Sequence, residues 1–160
     1  MGGRKLKVGQ ICCAQERGDE SLPNINDITT AVYKLLKADE TLGGLCTVYK
    51  GSKRPNRATN PSVTVETKRL EPGEGEGLWM CDVVTTAFTD NQANGMPDHE
   101  CLDAIVSGLY LVLEDAEISL ENARALPLIR GDIGGPSWNN THEGETSQEC
   151  TFGLIFIKYD

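Results

Sequence analysis

The stretch 27–45, DITTAVYKLLKADETLGGL, decides the fold. Ile28, Val32, Leu35 and Leu36 recur at i, i+4, i+7 and i+8, the spacing of one helical face, while Lys34 and Lys37 point away from it. Asn26 or Asp27 is placed to cap the first turn, because a short side-chain oxygen accepts from N–H groups that have no intrahelical partner. Gly43-Gly44 is expected to stop the helix, since glycine alone takes the left-handed conformation cheaply. A helix of about three turns gains too little alone in water. Its apolar face must lie on a sheet.

The sheet follows directly. CTVYK (46–50) is a short strand candidate, and SVTVETKRL (62–70) alternates Val63, Val65 and Thr67 with polar neighbours, as a half-buried strand does. EPGEGEG (71–77) reads as an acidic hairpin loop, and LWMCDVVTTAFT (78–89) is long and rich in β-branched and aromatic residues. The two longer strands are expected to pair antiparallel across that loop. A second helix fits 96–115, with Pro97 in its first turn, Asp98 and Glu100 at the positive end of its dipole, and Leu102, Ile105, Val106, Leu109 and Leu113 as its stripe. Residues 125–150 hold one short strand and a long glycine-rich loop. TFGLIFIKY (151–159), apolar on both faces, reads as a central strand. The expectation is an α+β fold, an antiparallel or mixed sheet with two helices packed on one face in the order α-β-β-β-α-β-β. Residues 1–25 are expected to form an N-terminal arm and 26–160 a single domain.

Composition narrows the functional classes. With 15 basic and 24 acidic residues the chain carries a net charge of −9, which repels nucleic-acid phosphates and is compatible with a wall past which DNA slides. Six cysteines at 12, 13, 46, 81, 101 and 150 include no Cys-x-x-Cys pair and fall mostly in apolar stretches, so a reduced, cytoplasmic setting is expected. No apolar run is long enough to span a bilayer, and the first residues lack a signal peptide's apolar core, so a soluble protein without membrane contact is expected.

Catalytic motifs are missing. Neither phosphate-binding glycine pattern occurs, and GEGEG carries glutamates where an anion would sit. DHEC (98–101) places Asp98, His99, Glu100 and Cys101 side by side, which sends them in different directions on a helix instead of toward one metal. His99 and His142 are the two histidines, and neither sits in a local signature with a nucleophile. No enzymatic activity, cofactor or metal is expected. The tripeptides Arg130-Gly131-Asp132 and Asn139-Asn140-Thr141 spell adhesion and glycosylation signals that need extracellular display. The remaining features are loops: GSKRPNRATNP gathers Lys53, Arg54 and Arg57, and GGPSWNNTHEG sets Trp138 in a polar surround. Arginine clusters and tryptophan on loops mark protein contacts, so these four are the candidate interface residues.

AVYKLLKADETLGGLCTVYKG followed by NPSVTVE resembles the start of the tail-terminator (tail-completion) proteins of long-tailed bacteriophages. The matching positions are Leu35, Leu36, Ala38, Asp39, Leu42, Leu45, Val48, Tyr49, Pro61 and Val63, and VTTAFTDN, the helix from Asp98 and the strand 150–158 keep the family's order. The resemblance spans roughly 26–159; the arm and the loops at 71–77 and 130–147 depart from it. It implies a virion protein assembled in the host cytoplasm. Such a protein forms a ring, usually a hexamer, that ends the tail tube, contacts the tail-tube and neck or head-completion proteins, and lets DNA pass. The alternatives are a head-completion or stopper protein, a tail-tube subunit, a monomeric adaptor using the basic loop, and a small cytoplasmic hydrolase using Cys101 with His99.

Overall fold

The computed structural model describes residues 24–55, 58–121, 123–133, 137–138 and 144–158. The first helix, α1 (Ile25–Ala38), is capped by Asn24, whose Oδ1 accepts from the Asp27 amide at 2.7 Å. The cap therefore lies two residues before Asn26 and three before Asp27, the positions expected from the sequence. Ile28, Val32 and Leu36 are fully buried on one face. The helix stops at Asp39, before the glycines: this residue is extended, and its Oδ2 accepts from the Leu42 amide at 2.8 Å, starting a second short helix, α2 (Glu40–Leu45). A short acidic side chain that offers the backbone an alternative partner outcompetes the next helical turn. Gly43 and Gly44 lie inside α2, with open space where side chains would be.

After α2 come β1 (Thr47–Lys50), β2 (Ser62–Pro72) and β3 (Leu78–Asp90). β2 and β3 form the expected antiparallel hairpin, Val65 facing Thr85, whereas β1 runs parallel to β2. The next helix, α3 (His99–Leu113), begins after its cap Asp98, so Pro97 precedes the helix and does not enter its first turn. Five further strands follow: β4 (Ser119–Leu120), β5 (Ala123–Ala125), β6 (Ile129–Ile133), β7 (Ser137–Trp138) and β8 (Glu145–Lys158). Among the described residues they complete an α+β fold with a mixed 8-stranded sheet.

β8 is the spine. One edge pairs with β3 along its whole length, from Leu78 opposite Ile157 to Asp90 opposite Glu145. Its other edge is taken in turn by β5, β6 and β7, so that 123–138 and 145–158 make one interrupted hairpin. Each step along that hairpin uses one residue more on the first strand: Ala125, Ile129, Ile133 and Trp138 face Phe156, Gly153, Cys150 and Thr146. The described parts of what reads as a glycine-rich loop, 130–133, 137–138 and 145–147, are thus strand.

The helices lie on one face of the sheet. Thr29 of α1 meets Thr67 of β2 through a buried 2.8 Å hydroxyl contact, and Tyr110 of α3 packs on Phe152 of β8 with ring centroids 5.3 Å apart. The core between them comprises Val63, Val65, Val83, Phe152, Leu154 and Phe156 with the inward faces of the helices. Each such side chain contributes about 1.5–3 kcal/mol. α2 comes close to α3: a Cβ on Gly108 would stand 3.0 Å from Leu42 Cδ1. β8 is central, as its sequence says, yet the helices cover only one of its faces.

Candidate assembly surfaces

The basic segment after β1 folds over one end of the helix-free side of the sheet. Arg54 makes a two-pronged ion pair with Glu145, Nη1 to Oε2 and Nη2 to Oε1 both at 2.8 Å, with side chains only 12% and 8% exposed. Its Nη1 also donates to Asn60 Oδ1 at 3.0 Å and to Ser62 Oγ at 3.3 Å, and its guanidinium lies 3.7 Å from the Phe88 ring centroid. Asn60 Nδ2 donates in turn to Glu145 Oε2 at 2.7 Å and to Asp90 Oδ1 at 2.8 Å. A planar guanidinium suits this task, since its fork matches a carboxylate while its face stacks on an aromatic ring. One residue thereby ties the loop to the ends of β2, β3 and β8.

The four candidate contact residues are distributed unequally. Arg54 is turned inward with its charge met by Glu145, and Lys53 is exposed beside it. Trp138 is in β7, its backbone opposite Thr146. Arg57 and the Trp138 side chain lie outside the described residues, as do the arm through residue 23, Cys12, Cys13, His142 and the Asn139-Asn140-Thr141 tripeptide. Of the other tripeptide, Arg130 is engaged: its Nη2 donates to Glu114 Oε1 at 2.8 Å, and its guanidinium sits 4.8 Å from the Tyr110 ring centroid.

Beyond the Arg54 cluster, toward the other end of β3 and β8, the same side carries an exposed apolar patch among charged residues such as Glu66, Lys68 and Asp82. Met80, Ile129 and Ile157 are 39%, 53% and 38% exposed, and Ile155 is half-buried between them. A shallow groove of about 280 Å³ runs across these strands, with Gly131 and Gly153 lining it beside Met80, Ile129 and Ile155. Close approach explains Gly131: a Cβ there would stand 2.7 Å from the Thr151 carbonyl oxygen. At the β2 end a bulge between Lys68 and Glu71 holds Arg69 at φ +58° and brings its Nη1 within 3.4 Å of Asp82 Oδ2. Bulges of this kind re-aim a side chain at the expense of pairing. Motif reading passes over this surface. Its signal in the sequence is the two-sided apolarity of 151–159, which asks for cover on both faces.

A second concavity of about 570 Å³ lies between α1 and residues 117–121, with Asp27, Glu117 and Glu121 around Lys34.

The hydrolase reading finds little support in the thiols. Burial, aided by Asp98, pushes the Cys101 thiol up, the opposite of what a nucleophile needs. His99 is exposed at the helix start. Burial pushes Cys46 and Cys150 up to about 11 and Cys81 up to about 12, as expected of thiols acting as small core residues. No cluster of three metal-ligating side chains occurs among the described residues, and no helix among them is long and apolar enough to cross a membrane.

No known protein family and no curated protein matches the sequence. A solved structure does: a chain of the virion of a native gene transfer agent particle shares this fold with a TM-score of 0.68. The two are 18% identical, over 82% of this chain and 95% of that one. At that identity the likeness is one of fold.

Proposed function

We propose that this protein is a structural component of a phage-like virion, a tail terminator that forms a ring at the end of the tail tube and joins it to the neck. The fold it shares with a virion chain carries the reading, since that likeness spans nearly the whole of the other chain. The order of elements after Ile25 and the exposed apolar patch on the helix-free side of the sheet agree with a subunit whose second face is closed by a neighbour. A net charge of −9, with Arg54 already neutralised by Glu145, suits a lumen that does not retain DNA. In this reading Lys53, Arg57 and Trp138 contact neighbouring subunits, and Arg54 anchors the loop that presents the two basic ones. The ring is expected to be a hexamer.

The test is the mass of the purified chain at several concentrations, with negative-stain imaging alone and with tail tubes. Rings seated at tube ends are expected. Incorporation along the tube would instead identify a tube subunit, binding to capsid portals alone a stopper, and a strict monomer that never caps tubes would remove the reading.

A further inference from the structure

The two sides of this molecule are unlike, and they match each other. On the outside of α3, Glu100, Asp103, Ala104, Ser107 and Leu111 fall on one stripe and all are exposed, Leu111 at 84%. A leucine that open on a helix whose other side is packed on the sheet is an apolar knob, approached over small residues and preceded by two acids. On the opposite side of the sheet lies the glycine-lined groove, apolar at Ile129 and Met80 and ending at Arg69, whose side chain is 73% exposed and reaches Asp82 with one nitrogen only, Nη1 at 3.4 Å.

The spacings agree. Ile129 faces Gly153, Gly153 faces Asp82, and Asp82 faces Lys68 beside Arg69, a row across four strands. Three strand spacings separate Ile129 from Arg69 by about 14 Å. Leu111 and Asp103, eight residues apart on α3, are about 12 Å apart, with Glu100 one turn beyond.

We infer that α3 of one copy docks across the open sheet of the next, Leu111 entering the groove beside Ile129 and Gly153 while Asp103 and Glu100 meet Arg69. The occupant is a second copy of this chain. The knob and the groove lie on opposite sides of one subunit, so the contact is head-to-tail, the type that closes into a ring when the rotation per subunit permits. Copy follows copy, helix layer on sheet. The inference rests on the ring reading and adds the surface that builds it.

Disulfide trapping tests it. In a Cys12→Ser, Cys13→Ser, Cys101→Ser background, Leu111→Cys and Ile129→Cys are combined in one full-length chain and oxidised under ring-forming conditions. The two positions cannot bridge within one chain, because the sheet separates them. A ladder of covalent multimers ending at the ring size is expected, with covalent dimers only from an equal mixture of the two single variants. Leu111→Asp, a change at an exposed site, is expected to lower the fraction of protein in rings at least tenfold with an unchanged melting temperature. Rings that form normally while the double variant stays uncrosslinked would overturn this pairing and leave the ring reading standing. So would Leu111→Cys bridging to its own kind, or Ile129→Cys bridging to a tube subunit. If the parent protein forms no ring, the ring reading and this surface fall together.

Discussion

Arg54 and Glu145 are 91 positions apart in the chain and close on each other through two 2.8 Å hydrogen bonds. Arg54→Ala removes both of these hydrogen bonds and the charge they carry from a buried carboxylate, so a loss of about 3–5 kcal/mol is expected. Glu145→Gln, which keeps an acceptor for the guanidinium, is expected to cost less. Urea unfolding of both variants measures the difference, and equal, negligible losses would show that the knot does not hold the loop.

Thr29 and Thr67 invite a double-mutant cycle. Thr29 Oγ1 donates to the Ile25 carbonyl at 3.0 Å, which leaves Thr67 to donate across the 2.8 Å contact. Thr29→Val strands a buried donor and is expected to cost about 1–3 kcal/mol, whereas the Thr29→Val, Thr67→Val pair is expected to recover most of that loss. Additive losses from chemical denaturation would argue against the coupling.

Two glycines in the groove should respond differently to alanine. At Gly131 the new Cβ would press on the Thr151 backbone oxygen at 2.7 Å, whereas at Gly153 it meets the Ile129 oxygen at an ordinary 3.9 Å. Gly131→Ala is expected to destabilise by about 1–3 kcal/mol and Gly153→Ala to fold like the parent. Thermal melts read both.

The buried thiols set an alkaline limit. Cys46, Cys81 and Cys150 have values raised from 9.0 to about 11, 12 and 11 by burial. Their burial is fully stabilising below pH 9, where both states are protonated. It is lost as pH rises from there through the folded values, because the unfolded chain ionises first. Stability is expected to fall between about pH 9 and 12, with a shallower fall in Cys81→Ala. Native-state thiol labelling at pH 8 should leave these three unreacted; rapid labelling would contradict their packing.

His99→Ala separates the assembly and hydrolase readings. His99 is exposed on α3 and outside the apolar core. Unchanged stability and unchanged ring formation are expected; loss of a hydrolytic activity in the variant alone would favour the enzyme.

Most of the layout was legible because period and face coincide there. Val63, Val65 and Thr67 alternate along an uninterrupted pairing with β3, and Ile28, Val32 and Leu36 keep helical spacing to Asp39. Residues 123–138 were not legible. Each bulge against β8 adds a residue and flips the face, so Arg124 and Ile129, of opposite parity, share the open side. Arg54 misled for another reason: a guanidinium in a polar loop looks exposed until Glu145 arrives from far along the chain. The groove showed in the sequence only as the two-sided apolarity of 151–159, because the rest of it is assembled from β2, β3 and β6.

The central place of β8 has a consequence for synthesis. After β3 ends at Asp90, the 54 residues 91–144 must be made before β8 begins at Glu145. At translation rates of about 5–20 residues per second that takes roughly 3–11 s. During that interval a nascent chain offers the bare edge of a 13-residue strand to anything able to pair with it. Closure of the sheet is therefore a late event, set by the ribosome and by how well the waiting hairpin of β2 and β3 is shielded.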